Sequence, residues 1–460
     1  MGKGLMQPVT WRSSALILSE TALIMAAVIV STYVVVGHAN WSLATVGHAL
    51  PKVLLIAYVC QICLYYGDLY DDPQMLRDLR HMVVRMLKAL GATSIILALV
   101  YARFPDLIVA RGVFVVTAAL VGASLLGWRA AFRWASSQVG PRERLLLVGR
   151  SATAHNFERE LAERPHHGVE VVGFVDAQTD AEHIGSSLGA FEDLPAIVRA
   201  HGVDRVVVNL ADARGKLPMD KLLEMKLQGV TFADLASVYE ECTGKIAIEN
   251  LRPSWLVFSD GFRKSATVLV VKRAIEVAIA AAALVLALPL LLVLAAAIVL
   301  TSPGPAIYSQ LRVGQNGRVF RVYKLRSMRH DAERESGAVW STPNDPRITR
   351  IGNVLRRTRL DELPQLWNIL IGNMSLVGPR PERPEFVQEL ARQIPLYKLR
   401  HVVKPGLTGW AQVRYTYTAT VEDTMEKLQH DLFYIKNLSL RLDLFIIFET
   451  VKTVVLHRGR

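Results

Sequence analysis

Four runs of apolar residues fill the first quarter of the chain, at 15–37, 49–66, 86–103 and 107–128. Each is close to the ~20 residues a helix needs to cross a bilayer. The pattern predicts a membrane α-helical bundle of four spans over residues 1–140. Basic residues between the runs set its orientation. Lys3 and Arg12 precede the first run, and the loop around 38–48 holds no Lys or Arg. The second loop carries Arg77, Arg80, Arg85 and Lys88, and Arg129, Arg133, Arg142 and Arg144 follow the fourth run. The heavier clusters place both ends of the bundle inside. Glu20 lies in the first span near its inner end, where a water-exposed position is expected rather than a functional intramembrane charge.

From about Arg144 short apolar runs at 145–148, 169–175, 204–210 and 230–234 alternate with helix-like stretches. That alternation predicts a parallel sheet, a Rossmann-like α/β module over 141–260. Its first turn reads Gly149-Arg150-Ser151-Ala152-Thr153-Ala154. A dinucleotide fingerprint needs glycines where Ser151 and Ala154 stand. An assembly or regulatory module without bound dinucleotide is the expectation.

The third block spans 264–460. Residues 274–300 form one apolar run with Pro289 in its middle. Lys264, Lys272 and Arg273 precede it; Arg312, Arg318, Arg321, Lys324 and Arg326 follow. The positive-inside bias puts both flanks on one side. A re-entrant hairpin over 272–300, bent at Pro289, satisfies length and charge together; the alternative is a fifth, kinked span. Residues 432–456 mix apolar residues with Lys436, Arg441 and Lys452. They fit either the membrane surface or the domain core.

Composition sharpens this picture. Of 460 residues 51% are hydrophobic and only 20% charged, yet the net charge is +12. Such a chain suits a membrane protein facing anionic headgroups or phosphorylated ligands. The long apolar blocks exclude nucleic acid as the reason for the basic balance. Three cysteines make no disulfide framework, which points to a reducing compartment. Cys60 and Cys63 sit inside an apolar run and read as small helix residues. The first apolar run is too long for a cleavable signal peptide.

The candidate chemistry lies beyond residue 300. Asp361 and Glu362 are adjacent and precede Leu363-Pro364-Gln365-Leu366-Trp367-Asn368. Asp361 reads as the cap of a helix whose first turn holds Pro364, a setting that favours an anion. Taken alone, that is an ordinary helix start. The surroundings change the reading: Arg356, Arg357 and Arg359 lie upstream, and Arg380 stands between prolines at 379 and 381. Lys324, Arg326, Lys404 and Arg414 add charge. A rigid arginine suits fixed contacts to phosphate. The segment from Lys404 through Gly406, Gly409 and Trp410 to Gln412 could hold a base or a sugar. Cations around a carboxylate pair suit phosphoryl transfer. A carboxylate beside a diphosphate calls for a divalent ion, and Mg²⁺ on Asp361 and Glu362 fits. The phosphate-binding candidates are Lys324, Arg326, Arg356, Arg380, Lys404 and Arg414; the catalytic candidates are Asp361 and Glu362.

Over residues 272–460 the sequence resembles the bacterial sugar transferase family, the monotopic phosphoglycosyl transferases. The matching pieces are Lys272-Arg273, Ser302-Pro303-Gly304-Pro305, and residues 324–328, 360–368, 374–381 and 404–412. The whole layout looks like the large subgroup with undecaprenyl-phosphate glucose and galactose phosphotransferases. Residues 381–386 and Leu251-Arg252-Pro253-Ser254-Trp255 look similar to an exopolysaccharide-associated branch. The resemblance implies a mostly α monotopic catalytic domain with a re-entrant helix and Mg²⁺ dependence. It implies a covalent sugar-phosphate intermediate on Asp361, with phosphate contacts from Arg380. UDP-glucose and polyprenyl phosphate are the implied substrates, with UDP-galactose the alternative donor. A homodimer in the bacterial inner membrane, catalytic domain on the cytoplasmic face, is the implied setting. Arg359 and Thr418 depart from the usual Ser and Gly, and either could alter sugar choice. A rival of another class is a nucleotide-sensing membrane scaffold with an inactive transferase domain.

Overall fold

The computed structural model describes residues 11–36, 43–67, 69–70, 79–108, 113–139, 143–149, 152–163, 169–176, 187–208, 219–248, 261–262, 265–332, 345–394, 396–415 and 420–455. Arg150, Ser151, residues 251–255 and Thr418 lie outside them. The chain forms two compact units, one containing Gln7–Leu235 and one containing Ala236–Arg460.

In the first unit every N-terminal apolar run forms a helix: α1 (Trp11–Val36), α2 (Leu43–Tyr66), α3 (Leu79–Arg103) and α4 (Val113–Val139). The expected four spans are corrected. Among the described residues, three helices in the whole chain are long and apolar enough to cross a membrane: Ala15–Val35, Met82–Arg103 and Ala266–Thr301. The apolar parts of α2 and α4, Leu50–Tyr66 and Val116–Phe132, are shorter. Within these shorter segments stand Pro51 and Lys52 in α2 and Arg129 in α4.

Glu20 corrects a second expectation. It is 0% exposed. Arg129 grips it with two hydrogen bonds, Nε to Oε1 at 2.6 Å and Nη2 to Oε2 at 2.9 Å. The Tyr70 hydroxyl also donates to Glu20, and Arg129 Nη1 donates to the Leu69 carbonyl at 2.9 Å. A carboxylate among apolar helices is tolerable only when paired and hydrogen-bonded. The helix face, read alone, could not reveal a partner 109 residues away. Cys60 and Cys63 pack in the same interior with Ala57 and Leu64.

The α/β module is a five-stranded parallel sheet of order β3-β2-β1-β4-β5. Its strands are β1 (Glu143–Val148), β2 (Val169–Asp176), β3 (Ser187–Ala190), β4 (Arg205–Val208) and β5 (Thr231–Asp234), with helices α5 (Ala152–Glu163), α6 (Leu194–His201) and α7 (Met219–Leu227) between strands and α8 (Leu235–Thr243) after β5. Central β1 buries Leu145, Leu146, Leu147 and Val148 in succession, as a strand covered on both faces must. Ser187–Ala190 is too short and small-sided to show alternation, so β3 was not legible. β1 ends on Gly149, whose φ of 91° only glycine adopts freely, and Gly149 N donates to Val175 O at 2.9 Å.

The second unit begins earlier than a boundary at 260–264 would suggest. Lys436 Nζ donates to Glu240 at 2.6 Å, Trp410 Nε1 donates to Gly244 O at 2.7 Å, and Ile246 joins the core. Next comes α9, Ala266–Thr301, helical throughout its 36 residues with Pro289 inside. The expected hairpin over 272–300 is therefore one helix, not two joined by a turn. A proline removes one backbone donor, but breaking the helix in an apolar medium would strand several.

An antiparallel pair follows, β6 (Ile307–Val313) and β7 (Val319–Leu325). Then come α10 (Arg350–Thr358), α11 (Gln365–Leu370), β8 (Ser375–Val377) and α12 (Pro384–Gln393). The chain closes with β9 (Gly406–Thr408), parallel to β8, then α13 (Trp410–Arg414), α14 (Val421–Lys436) and α15 (Leu440–Val455). Residues 432–456 thus divide between two helices. The last turns of α14 are buried, from Leu428 to Ile435. α15 buries Leu442 and Ile446 but exposes Leu444, Phe448 and Val451.

Candidate active site

The site grows from the end of α10. Thr349 caps its start, accepting from Gly352 N at 2.9 Å. A side chain at Gly352 would collide with the Ser327 carbonyl, which fixes α10 against the segment after β7. The helix ends on Arg359, left-handed at φ 58°. The chain then enters a 3-10 turn, Leu360–Glu362, before Pro364 and α11. Asp361 is thus not the helix cap expected of it: Pro364 holds that position, and the 3-10 turn separates Asp361 from α11.

This placement gives two adjacent carboxylates unlike surroundings. Asp361 is 7% exposed and its buried Oδ1 has no hydrogen-bond partner among the described residues. Burial, then the Glu362 charge, raises its pKa above the usual aspartate range, against Lys324, Arg356 and Arg359. Glu362 Oε1 accepts from Lys324 Nζ at 3.1 Å and Arg380 Nη2 at 2.9 Å, with Arg359 Nη1 at 3.9 Å. Burial opposes its ionisation, but those three cations together hold its pKa well below the ordinary range. Glu362 is a fixed anion that gathers Lys324 and Arg380; Asp361 is the carboxylate with an oxygen to offer.

Arg380 sits on a loop whose backbone is fastened residue by residue. Gly406 N donates to Pro379 O at 2.9 Å and Arg400 Nη2 to Arg380 O at 3.1 Å. Arg312 Nη1 donates to Pro381 O at 3.1 Å and Val313 N to Glu382 O at 2.9 Å. Arg400 is itself buried against Asp431, Nη2 to Oδ2 at 2.8 Å. Asn368 joins α11 to β7: Tyr323 N donates to its Oδ1 at 3.1 Å, and its Nδ2 donates to Arg321 O at 2.7 Å. Asn368 thereby fixes the strand of Lys324 against the helix that follows the carboxylates. No role in the site was read for Arg312, Arg400 or Asn368 in the sequence, because the partners they hold lie far along the chain.

The structure therefore brings Lys324, Arg380, Asp361 and Glu362 together, with Arg359 joining them. Arg356 is close by, its Nε donating to Ser327 Oγ at 2.8 Å and its charge favouring ionised Asp361. Three other candidates are placed elsewhere. Arg326 donates to Ser302 O at 2.9 Å and to Pro303 O, capping the end of α9. Arg414 lies over the Trp410 ring at 4.6 Å. Lys404 stands beside Arg273, its pKa lowered by burial and by that neighbour. Trp410 is 3% exposed and stacked on Phe433, so it holds neither base nor sugar. The glycines of this segment allow close packing: side chains at Gly406 or Gly409 would strike the backbone of Gly378.

Among the described residues no three His, Cys, Asp or Glu side chains converge as a metal cage. Mg²⁺ needs less, typically one or two carboxylates with substrate phosphates supplying the rest. The unpartnered Oδ1 of Asp361 fits such a role. Glu362 Oε1 fits it poorly, being already engaged by Lys324 and Arg380.

An apolar helix held against a small domain whose cations converge on a carboxylate pair defines a membrane-associated enzyme of phosphoryl chemistry. Residues 267–457 match the bacterial sugar transferase family, and residues 67–217 match a CoA-binding domain. The chain belongs to the bacterial sugar transferase family, an enzyme family of phosphoglycosyl transferases. It is 41% identical over 253 residues to a UDP-N-acetylgalactosamine-undecaprenyl-phosphate N-acetylgalactosaminephosphotransferase of Aeromonas hydrophila, covering 55% of this chain and 59% of that one. It is 35% identical over 328 residues to an undecaprenyl-phosphate glucose phosphotransferase of Komagataeibacter xylinus, covering 69% of this chain and 60% of that one. It is 44% identical over 191 residues to the exopolysaccharide production protein PSS of Rhizobium leguminosarum bv. phaseoli, covering 40% of this chain and 94% of that protein. The chain thus spans 59% and 60% of the lengths of the first two relatives.

Proposed function

We propose that this protein transfers a hexose 1-phosphate from a UDP-sugar to polyprenyl phosphate, releasing UMP, at the cytoplasmic face of the bacterial inner membrane. The observation that carries the reading is the contrast between Asp361, with an unpartnered oxygen, and Glu362, whose Oε1 is engaged by both Lys324 and Arg380. The Asp361 carboxylate attacks the β-phosphorus of the UDP-sugar. The bond to the bridging oxygen breaks, and UMP leaves with the electron pair. A lipid phosphate oxygen then attacks the aspartyl phosphate, regenerating the Asp361 carboxylate and forming the polyprenyl diphosphate sugar. Lys324, Arg380 and Arg359, held around Glu362, neutralise charge on the transferring phosphates. Mg²⁺, held through Asp361 and the donor's phosphates, would supply further charge neutralisation.

The placement of α9 supports the membrane side of this reading, since both its ends are tied to one unit. Lys272 Nζ bonds Asp443 at 2.6 Å near the start, and Arg326 holds Ser302 and Pro303 at the finish. A helix anchored at both ends to the same domain enters and leaves by one face of the membrane. Residues 1–140 and the α/β module then serve assembly, as a homodimer, or regulation.

Glucose is the proposed sugar, as in the Komagataeibacter relative's name; N-acetylgalactosamine, in the Aeromonas relative's, is the second reading. Full-length protein given UDP-glucose, UDP-galactose or UDP-N-acetylgalactosamine, with polyprenyl phosphate and Mg²⁺, is expected to release UMP with one of them. Release from none would favour the scaffold reading and overturn this one.

The electrostatics give a signed test. Asp361 must be ionised to attack, so kcat/KM falls as pH drops through its pKa. Burial and the Glu362 charge both raise that pKa. Glu362→Gln removes the negative neighbour and leaves Lys324 and Arg380 uncompensated, and both changes favour the carboxylate. The acid limb is therefore expected at lower pH than in wild type, with a smaller maximum because Arg380 has lost its anchor. A limb that stays in place or moves to higher pH would show that another group titrates.

A further inference from the structure

Pro379 and Pro381 carry no amide hydrogen, so the segment around Arg380 offers carbonyls to its surroundings but few donors. Its conformation has to be set by donors brought from elsewhere in the chain. Gly406 N takes the Pro379 carbonyl, and Arg312 takes the Pro381 carbonyl. The carbonyl between them, that of Arg380 itself, accepts from Arg400 Nη2 at 3.1 Å. Arg400 stands in a 3-10 helix, Tyr397–Val402, and every nitrogen of its guanidinium is engaged. Nε and Nη2 donate to Asp431 Oδ2 at 3.1 and 2.8 Å, and Nη1 donates to the Tyr397 hydroxyl at 2.7 Å. Arg400, Asp431 and Tyr397 are all buried. Asp431 lies on the buried turns of α14, among the core residues Leu428, Leu432 and Ile435.

Stability alone does not call for such a group. Burying a guanidinium and a carboxylate costs desolvation that their attraction barely offsets, and apolar residues of similar volume commonly serve a core as well. What apolar residues cannot supply is a planar donor pointed at one carbonyl. We propose that Arg400, braced by Asp431 and Tyr397, is the positioning residue that aims Arg380 at the diphosphate of the nucleotide sugar. Arg400 itself touches no reacting atom. Pro381 already biases Arg380 toward extended backbone, and the bond from Arg400 selects the direction of its carbonyl within that range. With the peptide fixed, the side chain leaves the loop in one direction and brings Nη2 to Glu362 Oε1 at 2.9 Å. A rigid path thus runs from α14 through Asp431 and Arg400 to the cation that meets phosphate. Lysine at 400 would keep the charge but lacks the fork that holds a carboxylate, a hydroxyl and a carbonyl at once. The proposal rests on the transferase reading, in which Arg380 engages the transferring phosphates.

The test is a double-mutant cycle on the full-length protein. UMP release is followed with UDP-glucose, UDP-galactose and UDP-N-acetylgalactosamine, each with polyprenyl phosphate and Mg²⁺, and kcat/KM is taken for the sugar that wild type uses. Arg400→Lys is expected to lower kcat/KM for the donor about 100-fold, the loss that a misplacement of about 1 Å produces. In an Arg380→Ala background the same change should cost less than about threefold, because no side chain remains to be aimed. Tyr397→Phe removes only the hydroxyl that accepts from Nη1 and serves as the milder variant should Arg400→Lys fail to fold. It is expected to lower kcat/KM about fivefold, again only while Arg380 is present. Losses of equal size in the two backgrounds would make Arg400 an ordinary core residue and overturn the proposal while leaving the transferase reading intact. Wild type that releases no UMP with any of the three sugars would overturn that reading, and the aiming of Arg380 with it.

Discussion

Asp361→Asn is expected to abolish UMP release, by at least ~10⁴-fold, while leaving expression, detergent behaviour and thermal transition unchanged. Asparagine keeps the shape of aspartate but lacks the charged oxygen that bonds to phosphorus. The structure makes this substitution unusually clean. Asp361 Oδ1 has no hydrogen-bond partner to lose, and burial already works against the charge being removed. A purely structural aspartate would show the reverse, a loss of stability with activity falling in proportion. The same chemistry predicts an adduct. Wild type given UDP-sugar without acceptor lipid should gain the mass of one hexose phosphate per active site, on the peptide holding Asp361. An adduct on Glu362 would reverse the roles of the two carboxylates. The structure argues against that reversal, since Glu362 Oε1 is already engaged by Lys324 and Arg380.

Much of this site was legible before any coordinates, because its signals are local. Asp361, Glu362 and Arg380 stand in short segments with proline and arginine neighbours, and Lys324 lies in a compact basic stretch. What failed were inferences that needed a partner. Arg326 is as basic as Lys324 and two residues away, a spacing that would put both on one face of a strand, yet β7 ends at Leu325 and Arg326 turns to cap α9. Arg414 read as a phosphate contact and Trp410 as part of a segment for a base or a sugar; instead Arg414 lies over the Trp410 ring. Glu20 looked solvated because Arg129, its counter-ion, lies across the bundle. The Asp361 cap was a reasonable reading of Asp-Glu-Leu-Pro, but a left-handed Arg359 redirected the chain into a 3-10 turn first. In the α/β module the buried strands showed plainly as apolar runs, while edge strand β3 did not. The hairpin at Pro289 combined a topological argument, which the anchoring of both helix ends supports, with a local geometry that the continuous helix corrects.

That separation leads to the topology of α9. Cysteines placed singly at Ser265 and Gln315, in a chain without Cys60, Cys63 and Cys242, are both expected to be shielded from impermeant maleimide in intact cells. Both should react once the membrane is permeabilised. The two positions bracket α9 and are exposed in the fold. Gly261 is a poorer choice, because its φ of 108° and the nearby Lys436 leave no room for a side chain. The outcome is all-or-none because the rival is simple. A straight helix of 36 residues would be about 54 Å long, more than the ~30 Å hydrocarbon core, so length alone permits a full crossing. What opposes crossing is the wiring of the ends. Arg273 donates to Ile369 O and Leu370 O at one end, and Arg326 holds Ser302 at the other. Asn368, next to Ile369, bonds the strand that leads into Arg326. A crossing helix would have to drag one set of these contacts through the bilayer and strand their polar groups in hydrocarbon. Reaction of Gln315→Cys from outside, with Ser265→Cys protected, would therefore refute more than the topology. It would place Asp361 on the side of the membrane without nucleotide sugars, and the proposed reaction would fall with it.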